Sequence, residues 1–256
     1  MSQNPKLIQS VQRAIDIMEC FDYNKKELSL SEISEILNLN ASTVHGILLT
    51  LQVNGYIEKI PEKSKYKLGT KLLEKGTLVL EDLDIREIVR PYLKLLTNKY
   101  KETSNFCLYQ FGNLYIIEKI ESPLSFFAMT SKIGLKIPLH ASASGKLILA
   151  NLNQKDLNEV LKKIKLIRYT ENTLSDINTI KEVLEKVRIQ GYALENEEVE
   201  LGLYTIAAPI FNHKGEILGT ISVLGPTVRI RENEDMIIAD LILYSKKISK
   251  EFGCNP

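Results

Sequence analysis

The stretch HASASGKLILA, residues 140–150, gathers a histidine, two serines, a glycine and a lysine into a short span. Four chemistries could use such a set. A phosphate-binding loop needs a glycine where His140 stands and a metal-binding hydroxyl where Leu147 stands, so that reading fails. A nucleophile elbow or an S-x-x-K motif fails too, because neither serine has its partners at the required offsets. His140 alone could act as a base, but a single histidine after an apolar run more commonly serves structure. The later run ENEEVE holds Glu195, Glu197, Glu198 and Glu200, most of which read as solvated surface. No acid and base stand at a convincing catalytic spacing, and no enzyme activity is expected. What remains is a helix start built of small residues, Ser142, Ala143 and Ser144. Unpaired first-turn N–H groups and the positive dipole end would hold an anion there if they faced a cavity. A plain N-cap explains the same residues.

A second set of polar residues lies near the N-terminus. NASTVHGILLTLQVNGY, residues 40–56, places Val44, Ile47, Leu48 and Leu51 at helical spacing. Its other face carries Ser42, Thr43, His45, Gly46 and Thr50, short groups suited to lying against a groove. Asn40 can cap the start through its side-chain oxygen. Taken alone the segment is an ordinary amphipathic helix, and its neighbours decide. Residues 8–21 form an apolar stripe of Val11, Ala14, Ile15, Met18 and Phe21. Ser29 and Glu32 make a capping box before Ile33, Ile36 and Leu37. Two short helices joined by the turn at 38–40 are a helix-turn-helix pattern, whose second helix enters the major groove. Alternation at 56–60 and 66–68 then predicts a β-hairpin carrying Lys59, Lys63, Lys65 and Lys67. Residues 57–75 hold six lysines against three glutamates, whereas the first 76 hold ten basic and nine acidic side chains. The positive charge is focused on the hairpin, as phosphate contacts beside a groove require.

The rest of the chain must supply a second domain. Residues 68–100 read as helical, first a linker and then an opening helix from 85, with Pro91 marking a kink or restart. Strands are expected at 105–111 and 114–120 around a Gly112-Asn113 turn, at 126–130 and 136–140, and at 193–198, 204–212 and 216–224. Helices are expected at 142–150, 154–163, 177–190 and 231–252. Hairpin-linked strands with grouped helices predict an α+β fold with an antiparallel sheet. The expected division is a DNA-binding domain over 1–69, a linker helix over 70–84 and a second domain over 85–256. The 256 residues are 44% hydrophobic, enough for real cores, and the net charge of +1 decides nothing. Three scattered cysteines and three scattered histidines exclude a local metal motif and a disulfide framework. No cofactor is expected. With no signal-like or membrane-spanning run, a cytoplasmic location is expected.

Three stretches resemble one known family. STVHGILLTLQVNGYIEK followed by YKLG is similar to the winged helix-turn-helix of the IclR family of bacterial transcription regulators. IGLKIPLHASASGKLILA and GYALENEEVELGLYTIAAPIFNHKGEILGTISVLGP resemble its GAF-like effector domain. The resemblance implies a homodimer or dimer of dimers on double-stranded operator DNA, with one small-molecule effector pocket per chain. It implies that Ala143, Ser144, Glu195, Leu203, Thr205, Ser222 and Leu224 line that pocket. It also implies three departures. Gly46 stands where the family usually has an arginine, Glu195 replaces a usual aspartate, and Thr205 replaces a usual cysteine. The rival expectation is a small-molecule hydrolase or transferase with an attached DNA module.

Overall fold

The structure is a computed structural model that describes residues 7–22, 24–81, 85–124 and 132–254. The chain divides into two compact units, Met1–Leu83 and Asp84–Pro256. In the first, α1 (Gln9–Glu19), α2 (Leu30–Leu37) and α3 (Ala41–Val53) pack on a small antiparallel sheet. Ser29 Oγ accepts the Glu32 N–H at 3.3 Å, and the Glu32 carboxylate accepts the Ser29 N–H at 2.7 Å. That reciprocal pair starts α2 as the sequence predicts. The Asn40 side chain, by contrast, makes no capping bond to α3, although Asn40 occupies the cap position. Asn38, in the left-handed region at φ 50°, ends α2 instead and sets the tight turn.

The hairpin pairs β2 (Ile57–Ile60) with β3 (Lys65–Leu68), and a two-residue strand, β1 (Leu28–Ser29), completes the order β1-β3-β2. Ile17, Ile33, Val44, Leu48, Ile57 and Tyr66 fill the core between helices and sheet. Gly69 is required there, because a Cβ would stand 2.2 Å from the Gly55 carbonyl oxygen. After it runs α4 (Lys71–Glu81). The end of the expected linker, 82–84, lies outside the described residues, as does the strand expected at 126–130.

The second unit opens with α5 (Ile85–Tyr100), which runs through Pro91 rather than restarting there. Its five-stranded antiparallel sheet has the order β5-β4-β8-β7-β6. The strands are β4 (Thr103–Gln110), β5 (Asn113–Ile120), β6 (Ala193–Asn196), β7 (Leu203–Phe211) and β8 (Ile217–Pro226). The β4–β5 turn is Phe111-Gly112, both with positive φ, one residue earlier than Gly112-Asn113. Residues 136–140 are not a strand: one bridge, Tyr115 to Lys136, is followed by a turn into the next helix. On one sheet face lie α6 (Ala143–Asn151), α7 (Gln154–Lys163) and α8 (Ile177–Gln190), around Leu147, Leu161 and Leu184. On the other lie α5 and the C-terminal helices. The latter are two, α9 (Thr227–Glu232) and α10 (Glu234–Glu251), split at Asn233 where a single helix is predicted. Among the described residues, no single helix is long and apolar enough to cross a membrane.

Candidate functional site

Helix α6 is buried from Ala143 to Ala150, so its start is fixed deep in the second unit. Ser142 anchors that start: its Oγ donates to the Pro138 carbonyl at 2.6 Å and accepts the Gly145 N–H at 3.0 Å. Gly145 lets the helix approach the preceding turn, since a Cβ would lie 2.4 Å from the Leu139 oxygen. With Ser142 capping Gly145, the first-turn N–H groups of Ala143 and Ser144 are left to whatever lies in front of them. In front is a cavity of about 120 Å³.

Strand register brings the other predicted residues to the same cavity. Glu195 pairs with Thr205, and Thr205 with Leu224, while Ser222 and Leu203 stand one step to either side. Ala143, Ser144, Glu195, Leu203, Thr205, Ser222 and Leu224 all line it. So do Asn105 and Cys107 of β4, which the sequence reading missed. Two expectations change. Thr205 is not a free donor, because its hydroxyl donates to Glu195 Oε2 at 2.8 Å. Glu195 is already engaged as well: its Oε1 accepts the N–H groups of Glu198 at 2.8 Å and Val199 at 3.1 Å. Burial dominates over these bonds and pushes its carboxyl up to about 7.

The acidic run is not mainly solvated surface. Glu198 is buried and ion-paired with Lys146 of α6, whose Nζ also donates to the Leu194 carbonyl at 2.9 Å. Burial raises the Glu198 carboxyl, and Lys146 opposes that shift. One signal could have revealed the pair: a lysine inside GKLILA, an otherwise apolar helix, needs a buried counter-charge. His140 faces away from the cavity, onto a larger open groove of about 890 Å³ beside α7. Its Nε2 lies 2.9 Å from the Ile167 carbonyl and its ring stacks on Tyr169, a structural setting. Cys107 sits against the hydroxyls of Ser144 and Thr220, and burial pushes its thiol up to about 12, far from reactive. Among the described residues, no cluster of side chains fits a metal ion.

In the first unit, α3 buries Val44 and Leu48 and leaves Ser42, His45 and Thr50 exposed, with Thr43 half-buried. Thr50 donates its hydroxyl to the Gly46 carbonyl at 3.0 Å, leaving its oxygen lone pairs outward. A Cβ on Gly46 would touch nothing within 4 Å, so the exposed face is open at its centre. The wing is less positive than its lysine count suggests. Lys63 pairs with Glu27 at 2.9 Å, Lys67 with Glu58 at 2.9 Å and Lys65 with Glu32 at 3.7 Å. Lys59 lies over the Tyr66 ring at 5.9 Å.

A helix-turn-helix with a β-wing, together with an antiparallel sheet domain that holds a small cavity at the start of a buried helix, is the architecture of a DNA-binding regulator with an effector-binding domain. Residues 10–61 match the IclR helix-turn-helix domain, and residues 77–250 match the bacterial transcriptional regulator IclR C-terminal domain. The chain belongs to the IclR family of transcriptional regulators. It is 36% identical over 228 residues to the HTH-type transcriptional regulator XynR of Escherichia coli K12, covering 89% of this chain and 90% of that one. It is 31% identical to the crystal structure of the Thermotoga maritima IclR, with a TM-score of 0.66 and coverage of 96% and 99%. A crystal structure of an IclR homolog from Microbacterium hydrocarbonoxydans complexed with 4-hydroxybenzoate shares the fold at a TM-score of 0.76 and 21% identity, covering 95% and 98%.

Proposed function

We propose that this regulator binds its double-stranded operator as a homodimer or dimer of dimers, in the cytoplasm, and that a small carboxylate in the α6 cavity sets its operator affinity. The carrying observation is that Ala143 and Ser144, at the start of a deeply buried helix, line a half-open cavity with polar and apolar walls. Such a start stabilises an anion through its dipole and its unpaired donors. Ser144 and Ser222 add hydroxyls at that end, and Leu203 and Leu224 cover the body of the ligand. At the far end, the Glu195 carboxyl favours a ligand hydroxyl or amine over a second carboxylate. The relative bound to 4-hydroxybenzoate supports a two-ended ligand, for that molecule has a carboxylate and a hydroxyl at opposite ends. A cavity of about 120 Å³ favours a ligand smaller than those of drug-sized pockets. On the DNA side, Ser42, Thr43, His45 and Thr50 read base edges, and Lys59, Lys63, Lys65 and Lys67 meet phosphates.

A thermal-shift panel of hydroxy-, oxo-, amino- and aromatic carboxylates tests the pocket, with Ser144→Leu as the variant that fills it. Acids are expected to raise the melting temperature of the wild-type protein and to leave Ser144→Leu unmoved. The same acids should shift operator binding in fluorescence anisotropy. Neutral sugars that stabilise the protein while every acid fails would refute the anion end.

A further inference from the structure

One buried acceptor on the cavity wall has no hydrogen-bond partner among the described residues. It is Oδ1 of Asn105, which lies in β4 and is only 4% exposed. Three other buried side-chain atoms share that condition, on His140, Glu198 and Thr220, but none of those residues lines the cavity. Asn105 does. A buried carbonyl without a donor is destabilising, and an apolar residue at this position would remove the cost. The amide is therefore matched to something that enters the cavity.

Its place in the sheet says which end of that ligand it meets. Asn105 stands directly across from Ser222 of β8, and two residues on, Cys107 touches Ser144 at the start of α6. Glu195 is on β6, three strands away in the order β4-β8-β7-β6. At a spacing of about 4.8 Å per strand the two backbones are roughly 14 Å apart. Asn105 thus sits at the carboxylate end proposed above, and Glu195 at the other. A ligand whose carboxylate lies on the Ala143 and Ser144 N–H groups brings its next carbon towards the Asn105 amide.

We infer that Asn105 reads the substituent on the carbon next to the ligand carboxylate, and that it selects acids bearing a hydroxyl there. A hydroxyl donates to Oδ1, whereas a methylene leaves that acceptor buried and unpaired. A site built around such a bond rejects the analogue lacking it. This inference rests on the carboxylate lying at the α6 start, and its test separates the two.

The test is isothermal titration of the full chain with glycolate and each lactate enantiomer, against acetate and propionate. In the wild-type protein the hydroxy acids are expected to bind at least about tenfold more tightly than their deoxy partners. Asn105→Ala should bring that ratio close to one. Asn105→Leu should do the same, and without ligand the more stable of the two variants should melt no lower than wild type. Ser144→Leu should abolish binding of every acid. If Asn105→Ala keeps the hydroxy-acid preference, or if wild type shows none or binds no hydroxy acid, the role given to Asn105 is overturned. If both Asn105 variants melt well below wild type, the amide has a structural partner, and the inference fails on that ground. If Ser144→Leu still binds the acids, the pocket assignment itself falls, and Asn105 with it.

Discussion

Glu195 carries the pH dependence expected of this protein. Its carboxyl is raised from the ordinary value of 4.5 to about 7, with burial as the main cause. Below pH 4.5 both folded and unfolded chains hold the proton, and the group contributes no pH dependence. Between 4.5 and about 7 the unfolded chain releases the proton while the folded chain keeps it, so stability falls as pH rises. Above about 7 both forms are ionised and the loss levels off. A shift of this size is worth on the order of 3 kcal/mol. Urea denaturation of the wild type from pH 5 to 8 is expected to show that decline, and Glu195→Gln to flatten it. Glu198 shifts in the same direction and remains in both proteins, so the difference between them reports Glu195 together with its coupling to Glu198. Binding of a carboxylate should weaken over the same rise in pH, because an ionised Glu195 repels it. Equal slopes in wild type and Glu195→Gln would show that the carboxyl ionises normally.

The wing offers a different test, because its lysines are engaged before DNA arrives. Lys63 is exposed and Glu27 half-exposed, and surface pairs of this kind are weak and easily exchanged for a phosphate. Removing the competitor should help: Glu27→Gln is expected to strengthen binding to operator and random DNA alike. Lys63→Ala should weaken both and lower the salt slope by about one. Anisotropy titrations over a salt series measure each, and a Lys63→Ala loss confined to the operator would remove that lysine from the phosphate contacts. The ion pairs were hidden in the sequence, where Lys63 and Glu27 lie 36 residues apart. Periodicity showed α7 and α8 with their observed limits, because their amphipathic stripes and caps are local. It missed β1, which is too short to show a period and overlaps the capping box at Ser29. It also made a strand of residues 136–140, where one bridge to Tyr115 leads into the turn before α6. The same limit applied to the cavity: family motifs named residues of α6 and β6 to β8, but no motif marked Asn105. Only its missing partner in the folded sheet brings it forward.

Two helices of the DNA-binding unit expose apolar side chains that the packing of their own unit leaves uncovered. On α1, Val11 is 54% exposed and Ile15 42%; on α4, Leu73 is 72% exposed and Val79 62%. An isolated helix of α4's eleven residues is marginal in water, so α4 gains from cover by another surface. A second copy is the simplest cover, since a two-fold dimer presents two recognition helices to half-sites about one helical turn apart, or a multiple of it. Each half-site alone would be held weakly, and linkage of the two multiplies affinity by roughly a hundredfold or more. Leu73→Glu combined with Val79→Glu should therefore split the assembly and, with it, operator binding. Sedimentation equilibrium is expected to give a dimer or tetramer for wild type and half that mass for the double variant. Operator affinity should drop at least about tenfold in parallel, while the thermal shift produced by a bound acid persists, because the residues that line the cavity belong to the second unit and α4 to the first. An unchanged mass in the double variant would place the dimer contact elsewhere, and a lost acid response would show that the cavity depends on the partner.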